Sequence, residues 1–536
     1  MSKKLTLAAL VTRHLEQAPE SCALIVGGRR ISYGELDQMG RAAAAWLHEQ
    51  GIGHGDRAAV WLVNRPEWLA LMLGLSRLGA VLVAVNTRYR TAELQHILSA
   101  SSARMLIMQP GFRKIDFQLL LEELEPATVP DLEKIAVLDA ALDHDAQMPQ
   151  LAGCSTRPFP DLEAFDAPDL EDNSSEQDLA MLFTTSGTTK LPKLVMHTQR
   201  SLATHADSVA RAFRFDQPGA GLLAPLPFCG TFGLVPVMTA LAAGIPIAVM
   251  ETFDGEPAVE LIQKHRLTHI FGSDEMYWKI LAAMPEEARF DSLRMCGFAS
   301  FQTGAEELAR AADARGMPLA GVYGSSEVQA LFSVQAVDGD RQERCKGGGF
   351  RADPEAQLRV RDVESGELLE PEQSGVLEIQ AAGNFAGYFN NPEATAEAVD
   401  NEGYFTTGDI GYLRRDSSFV YQTRAGDAIR LGGFLVNPAE IEDMLRDCPG
   451  IAEAQVIGAD VDGKSACVAF VISGPGIDID AEGVRAWLRN VIAPFKVPAR
   501  VWFLDAFPVT ESANGTKIQR AKLRAMALER DSNTNP

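Results

Sequence analysis

Hydroxyl side chains followed by two lysines dominate the segment 181–198 (MLFTTSGTTKLPKLVMHT). Five hydroxyl residues surround one glycine, and the lysines come next: Thr184, Thr185, Ser186, Thr188 and Thr189 around Gly187, then Lys190 and Lys193. Glycine lets backbone N–H groups face an anion, hydroxyls donate hydrogen bonds and lysine offsets negative charge, so this composition is suited to holding phosphates. The Walker pattern GxxxxGK[ST] is absent, and a Ser/Thr-rich surface loop is the alternative interpretation.

Four further segments occur downstream of this one. They are 323–327 (YGSSE), 403–409 (GYFTTGD), 424–440 (RAGDAIRLGGFLVNPAE) and 508–520 (PVTESANGTKIQR). Together, the five motifs resemble, in order and spacing, those of the adenylate-forming superfamily, which includes acyl-CoA synthetases, peptide-synthetase adenylation domains and luciferases. The flanking stretches 387–395 (GYFNNPEAT) and 495–498 (FKVP) also fit. The resemblance covers nearly the whole chain and is closest to the acyl-CoA synthetases.

The resemblance implies a first reaction in which a carboxylate attacks the α-phosphate of ATP, giving acyl-AMP and pyrophosphate. Because charge builds on phosphate oxygens, such a site needs positioning and cations. The implied nucleotide contacts are Thr185, Ser186, Gly187, Thr188, Thr189, Lys190 and Lys193 at the β- and γ-phosphates, Tyr323 stacked on adenine with Gly324 and Ser325 beside it, Asp409 at both ribose hydroxyls and Arg424 near the ribose and phosphate. The implied catalytic set is Ser326 facing the α-phosphate, Glu327 as the Mg²⁺ ligand, Lys517 bridging the carboxylate and the α-phosphate, and Arg430, which stands where a lysine is common.

The resemblance also implies a second reaction, which follows a large rotation of a small C-terminal domain. The pivot position is Gly426 here, where the family usually has Asp or Lys; glycine tolerates large φ/ψ changes. Gly432 and Gly433 match the loop through which the pantetheine arm of CoA would reach the acyl-adenylate. ATP, Mg²⁺ and CoA are therefore the expected cofactors.

The acyl pocket is implied at 227–234 (PFCGTFGL), where Phe228, Thr231 and Phe232 would line it. The family often has His at the position of Gly230, so this chain would have extra space at the carboxylate end; simple drift in pocket shape is the alternative. We expect an AMP-forming acid–thiol ligase acting on a small carboxylic acid. An amide-forming ligase using an amino acid, and a stand-alone adenylation domain loading a carrier protein, are the alternatives. The acid is not named by the sequence, and a homodimer is one option for the oligomeric state.

Alternating helix and strand patterns must position these residues. Ser32 followed by Glu35 has capping-box spacing and predicts a helix over 32–50, and 66–78 and 91–100 are the next predicted helices. Between them, 57–63, 79–85 and 103–108 are short apolar runs that predict buried strands. This βαβ order, which returns at 194–335, favours a largely parallel, doubly wound sheet.

The pattern changes after about residue 350. Residues 355–382 and 409–423 predict short antiparallel strands, and the remainder predicts a compact α+β unit, with helices over 439–447 and 481–492 and strands over 451–458 and 466–472. We therefore expect an α/β fold. A large N-terminal domain of doubly wound sheets with a β-barrel-like subdomain would span 1–425, and a small mobile α+β C-terminal domain would span 426–536.

Composition excludes several other classes of protein. The chain has 536 residues, with 49 Lys plus Arg against 72 Asp plus Glu and a net charge of -23, which argues against a broad nucleic-acid-binding face. No stretch reaches the roughly 20 clean apolar residues of a membrane span, and the N-terminus predicts an amphipathic helix instead of a signal peptide. The seven scattered cysteines indicate reduced thiols, so we expect a cytoplasmic protein.

Overall fold

The computed structural model describes residues 4–139, 148–168, 170–185, 192–299, 305–362, 365–424, 429–431, 434–436, 438–461, 464–474, 479–512 and 515–534. Five predicted loop residues, 186–190, lie outside the described residues, as do Gly426, Gly432 and Gly433. The predicted boundary between residues 425 and 426 also falls there and stays a prediction.

The larger sheet contains thirteen strands. Their spatial order is Gln357–Arg361, Gly375–Gln380, Phe405–Leu413, Phe419–Arg424, Gly347–Arg351, Gln329–Val334, Leu319–Ser325, Met295–Ala299, His269–Ser273, Leu222–Ala224, Ile247–Val249, Cys22–Val26 and Arg29–Ser32. The strands from 222 to 325 pair in parallel, whereas those from 329 onward pair antiparallel. The change of pairing occurs at the turn after residue 325, which is where the YGSSE motif lies.

The second sheet of the large domain contains seven strands. Their order is Lys193–Thr198, Leu179–Thr185, Val81–Ala84, Arg57–Trp61, Met105–Met108, Lys134–Val137 and Ser155–Pro158. Only the first pair is antiparallel, and the segment that joins it is the hydroxyl-rich loop. A hairpin of Gly111–Phe112 with Ile115–Asp116 lies outside this sheet.

Helices cover the sheets and fill the space between them. They are Ala9–Thr12, Tyr33–Glu49, Pro66–Leu78, Thr91–Ser101, Phe117–Glu122, Gln199–Ala212, Thr231–Ala243, Gly255–His265, Asp274–Ala283, Ala305–Ala314, Arg341–Arg344, Pro392–Ala398, Pro438–Asp447, Ala481–Val491 and Arg520–Thr534, with 3₁₀ turns at Pro126–Thr128 and Pro494–Lys496. One buried cluster joins both sheets through the second and third of these helices. Those two helices approach closely at Gly74, where an added Cβ would lie 2.8 Å from the backbone nitrogen of Ala44.

The small C-terminal domain is built on one three-stranded sheet. Ile451–Val461 and Lys464–Ser473 form a hairpin, and Arg500–Phe503 adds in parallel. Helices Pro438–Asp447 and Ala481–Val491 bury Ile441, Leu445, Val484 and Leu488 against it. Two smaller hairpins carry motif residues, Ile429–Leu431 with Phe434–Val436 and Val509–Ser512 with Gly515–Ile518.

The predicted mixed α/β class is confirmed, and most predicted elements lie within two residues of their observed ends. The predicted N-terminal helix is short: among the described residues 4–21, only Ala9–Thr12 is helical. The amides before it bond to side chains of other elements, since Leu7 N–H donates to Gln199 Oε1 and Ala8 N–H to Ser76 Oγ. Tertiary bonds thus replace the first helical turns. The polar, acidic stretch 140–178 has the composition of a surface connection, yet within it Ser155–Pro158 forms the last strand of the seven-stranded sheet.

Candidate functional site

The YGSSE motif lies at the carboxyl end of a parallel strand, where α/β sheets commonly bind ligands. Leu319–Ser325 runs parallel to Met295–Ala299, and the chain then turns sharply into Gln329–Val334. Gly324 permits that turn, because a Cβ there would lie 2.4 Å from the Gln329 carbonyl oxygen. Gln329 itself has a φ of 64°, and its side-chain amide donates to the carbonyls of Ser201 and Gly383, which holds this left-handed conformation in place.

Tyr323 and Asp409 bond to each other beside the YGSSE turn. We call this site, with the neighbouring pair of Glu327 and Tyr388, the cleft. The Tyr323 hydroxyl donates to Asp409 Oδ2 at 2.6 Å, and the Asp409 N–H donates to Thr407 Oγ1 at 3.0 Å. Both Tyr323 and Asp409 are buried, and the tyrosine ring stands edge-on to Phe419, with 5.3 Å between ring centroids. A carboxylate has about four acceptor sites, so Asp409 keeps acceptor capacity for further donors. The adenine-stacking role of Tyr323 stays a prediction.

Glu327 is a buried carboxylate with a dedicated donor. The Tyr388 hydroxyl donates to Glu327 Oε1 at 2.9 Å, and the Lys193 ammonium lies 4.5 Å from the centre of the Tyr388 ring. Glu327 is 7% exposed. Tyr388 therefore brings together the predicted metal-ligating carboxylate and the end of the predicted phosphate loop. This tyrosine belongs to the GYFNNPEAT segment, whose sequence predicts no such role for it.

The segment 385–389 holds this arrangement. Phe385 N–H donates to the Glu327 carbonyl at 2.7 Å, and the stretch after it pairs with the strand Lys193–Thr198 through Met196 and Leu194. Gly387 has a φ of 121°, which favours glycine, and Tyr388 N–H donates to Thr395 Oγ1 at 2.9 Å. These contacts give a physical reason for the glycine, tyrosine and threonine of GYFNNPEAT.

His197 supports the same turn from beneath. Its Nε2 donates to the Ser326 carbonyl at 2.7 Å, and its Nδ1 lies 3.4 Å from Ser201 Oγ. Burial lowers the pKa of the His197 imidazole to about 4, so the ring is neutral at pH 7. The bond from His197 thus fixes the backbone of Ser326, and Ser326 as a whole is half-buried.

The phosphate loop is anchored at both ends. Thr184 Oγ1 and the Tyr89 hydroxyl are 2.9 Å apart, and His96 Nε2 donates to the Pro192 carbonyl at 2.9 Å. Thr185 pairs with Lys193 across the antiparallel hairpin. Leu194, next to Lys193, is buried in the core.

The predicted acyl-pocket residues lie around the start of the helix Thr231–Ala243. Phe228 is buried edge-on to Trp68, with 5.7 Å between ring centroids, whereas Phe232 is half-buried. Within the described residues, a Cβ added at Gly230 would meet only the Pro227 carbonyl oxygen, at 3.9 Å. The space expected at Gly230 is present, and the identity of its occupant stays a prediction.

Four predicted site residues are described by their backbones alone: Thr185, Arg424, Arg430 and Lys517. Arg424 pairs in register with Asp409, which places its backbone beside the cleft. Arg430 and Lys517 lie in separate hairpins of the C-terminal domain.

Two family models match the chain. The model described as "AMP-binding enzyme" matches residues 11–389, and the one described as "AMP-binding enzyme C-terminal domain" matches residues 440–514. Curated relatives match over nearly the whole length. A 3-hydroxybenzoate/4-hydroxybenzoate–CoA ligase of Thauera aromatica is 28% identical, covering 95% of this chain and 94% of that protein, and 4-coumarate–CoA ligase 2 of Oryza sativa subsp. japonica is 32% identical, covering 95% and 90%.

Solved structures show the same fold. The amide bond synthetase of Marinactinospora thermotolerans has a TM-score of 0.82 at 24% identity, covering 97% of this chain and 99% of that one. A double mutant of Bacillus subtilis o-succinylbenzoate CoA synthetase bound to the product analogue OSB-NCoA has a TM-score of 0.81 at 22% identity, covering 96% and 98%. The same Bacillus synthetase in complex with AMP covers the same shares at 22% identity, yet its TM-score is 0.67.

Proposed function

Because this chain belongs to the AMP-binding, adenylate-forming enzyme family, we propose that it activates a carboxylic acid with ATP and then transfers the acyl group to the thiol of CoA. The observation that carries the first step is the convergence of three features in one cleft: the Tyr323–Asp409 pair, the Tyr388–Glu327 pair and the anchored ends of the phosphate loop.

The first step joins an acyl oxygen to phosphorus. A carboxylate oxygen of the acid attacks the α-phosphorus of ATP, and the bond to the bridging oxygen of pyrophosphate breaks. Asp409 would accept the ribose hydroxyls, and Lys193 would offset charge at the far phosphates. Lys517, from the C-terminal domain, would bring a further cation to the α-phosphate.

Glu327 suits a magnesium ion. Mg²⁺ takes one or two protein carboxylates and keeps waters and phosphate oxygens as its other ligands. One oxygen of Glu327 accepts from Tyr388, which orients the carboxylate. The bound ion would offset the charge of the polyphosphate, while the protein's own contribution is this orientation.

The second step would form the thioester. The sulfur of CoA attacks the acyl carbonyl carbon, AMP leaves, and the thiol proton passes to solvent. CoA as acceptor is supported by the curated relatives, which are CoA ligases that span both domains. An amino acid amine is the second candidate, favoured by the open space at Gly230, where an amine could approach the acyl-adenylate; a carrier-protein thiol is the third.

The test is AMP release from ATP with a panel of aromatic and aliphatic carboxylic acids, each supplied with CoA, with amino acids or with a carrier protein. CoA-dependent AMP release and an acyl-CoA mass are expected. An acyl-amide mass would show that the acceptor is an amine and not CoA. The absence of acid-dependent AMP release with every acceptor would contradict the proposal as a whole.

A further inference from the structure

A buried ion pair joins the two domains. Lys496, within the segment matched by the C-terminal family model, places its ammonium 2.6 Å from Oε1 of Glu93 in the helix Thr91–Ser101. The side chains are 5% and 7% exposed, respectively, and the residues are 403 positions apart in the sequence. A charged pair removed from water in this way requires close, mutual compensation.

Aromatic rings and a second cation surround the pair. The Lys496 ammonium lies 5.7 Å from the centre of the Tyr89 ring, and the Arg88 guanidinium carbon lies 6.0 Å from the centre of the Phe495 ring. Cations at such distances from aromatic faces are attracted to them. We call these five residues, Arg88, Tyr89, Glu93, Phe495 and Lys496, the docking contact.

The docking contact is connected to the phosphate loop. Tyr89 bonds to Thr184 before the loop, and His96, one turn after Glu93 on the same helix, bonds to the Pro192 carbonyl after it. Glu93 also begins that helix, because its Oε2 accepts the Arg90 N–H at 3.0 Å. The segment 89–96, which receives Lys496, thus contacts both ends of the loop.

The contact spans two domains, so it exists only in arrangements that bring the domains together in this way. This chain superposes on the product-analogue complex of a relative with a TM-score of 0.81 and on the AMP complex of the same relative with a TM-score of 0.67. Because rotating one domain lowers such a score without changing either domain, we attribute the difference to domain arrangement. We infer that Glu93 and Lys496 are positioning residues for the second half-reaction: their ion pair holds the C-terminal domain in the acyl-transfer arrangement and separates for adenylation. This inference rests on the proposed two-step function.

Glu93→Gln tests the pair with little disturbance, because glutamine keeps an oxygen for the Arg90 N–H and replaces the oxygen that faces Lys496 with an uncharged NH₂ group. Adenylation is measured as acid-dependent exchange of labelled pyrophosphate into ATP, using the acid that gives the fastest AMP release in the panel above. Transfer is measured from the synthetic acyl-adenylate of that acid to the acceptor identified there. We expect transfer to fall about tenfold or more, while exchange changes less than about twofold. Equal losses in both, or no loss in either, would overturn the inference.

Two variants provide matched controls. Asp37→Asn removes a pair of similar burial, with Arg77 and Asp37 6% and 7% exposed, but inside the large domain. It should lower stability without separating the two half-reaction rates. Lys496→Arg keeps the positive charge and should retain most of the transfer rate; a tenfold loss there would show that shape, not charge, is what matters and would contradict the ion-pair role.

A substrate-free measurement separates this inference from the proposed function. Small-angle X-ray scattering of the full chain should fit the present arrangement for wild type and shift toward the AMP-complex arrangement for Glu93→Gln. An unchanged profile would overturn the positioning role, even if the acid and the acceptor were correctly identified. If the profile shifted but the protein activated no acid, the ion pair would still be shown to hold the domain arrangement, and the proposed reaction would be contradicted.

Discussion

In the cleft, uncharged side chains of the large domain donate hydrogen bonds to acceptors of the same domain. The hydroxyls of Tyr323 and Tyr388 donate to carboxylates, and His197 donates to a backbone carbonyl. At the docking contact, the charged ammonium of Lys496 donates to the carboxylate of Glu93, which belongs to the other domain. Neutral donors inside one core stay bonded in every domain arrangement. Two opposite charges gain strongly from each other when dry and are well hydrated when separated, so they suit a contact that must form and break.

The largest expected effect is a loss of stability in acid, which tests the neutral donors of the large domain. Burial lowers the pKa values of His197, His205 and His269 to about 4, below the 6.5 of an exposed histidine. The unfolded chain therefore takes up protons first, and the stability that these neutral rings contribute above pH 6.5 is lost as the pH falls toward 4. Each ring should cost about 2 kcal/mol of unfolding free energy between pH 7 and pH 5.

Urea unfolding at a series of pH values measures this loss. In His197→Gln, the decrease between pH 7 and pH 5 should be smaller by about one third of the three-histidine total. Stability that is flat across that interval in the wild-type protein would contradict the assignment of neutral buried rings.

Lys517→Ala should affect the two half-reactions in the opposite way to Glu93→Gln. Loss of the cation predicted at the α-phosphate should lower acyl-adenylate formation about 10³-fold, while transfer from preformed acyl-adenylate is spared. Pyrophosphate exchange and single-turnover transfer measure the two steps. Exposed Lys522, five residues on, provides the control: Lys522→Ala should leave both steps unchanged. A parallel loss of both steps in Lys517→Ala would remove its predicted role.

Tyr388→Phe should have a smaller effect confined to the cleft. The variant loses the donor to Glu327, so adenylation should slow about tenfold, and the Mg²⁺ concentration for half-maximal rate should rise. Tyr33→Phe removes another buried hydroxyl, whose acceptors are backbone carbonyls of Ala240 and Ile245, and should leave the Mg²⁺ requirement unchanged. If both variants moved that requirement alike, Tyr388 would be only a stabilising residue.

Gly230→His should have the smallest effect, on selectivity alone. A side chain here enters open space, and the glycine φ of -114° is one that any residue adopts, so unfolding free energy should change by no more than about 0.5 kcal/mol. The range of accepted acids should narrow, measured as kcat/KM across the panel, with the bulkiest acids losing most. Ala152→His, at an exposed turn, would show whether added imidazole alone has any effect. An unchanged acid profile would place Gly230 outside the pocket.

Local patterns predicted most of the elements, and contacts between distant residues escaped them. Ser32 and Glu35 form the capping box that their spacing predicts, and the helix follows as Tyr33–Glu49. By contrast, Tyr388 meets Glu327 across 61 residues, and Lys496 meets Glu93 across 403. Residue type and periodicity carry no record of such partners, because they are set by how the sheets and domains pack.

Resemblance indicated several segments, and those of the large domain around Lys193, Glu327 and Asp409 lie near one another, but it could not assign the supporting side chains. His197 follows the predicted phosphate loop by only a few residues, but its role cannot be read from the sequence, since its partner is a backbone carbonyl in a distant turn. Every backbone carbonyl looks the same in a sequence, so such contacts emerge only from three-dimensional structure.

The strand Lys193–Thr198 stands at the edge of the seven-stranded sheet. An uncovered edge strand offers unpaired N–H and C=O groups to a second molecule and promotes aggregation. Here the segment 386–389 bonds along it, through Met196 N–H to the Gly387 carbonyl and Phe389 N–H to the Leu194 carbonyl. The stretch that presents Tyr388 to Glu327 therefore also shields the molecule from edge-to-edge association, so a variant that loosens it should become less soluble as well as less active.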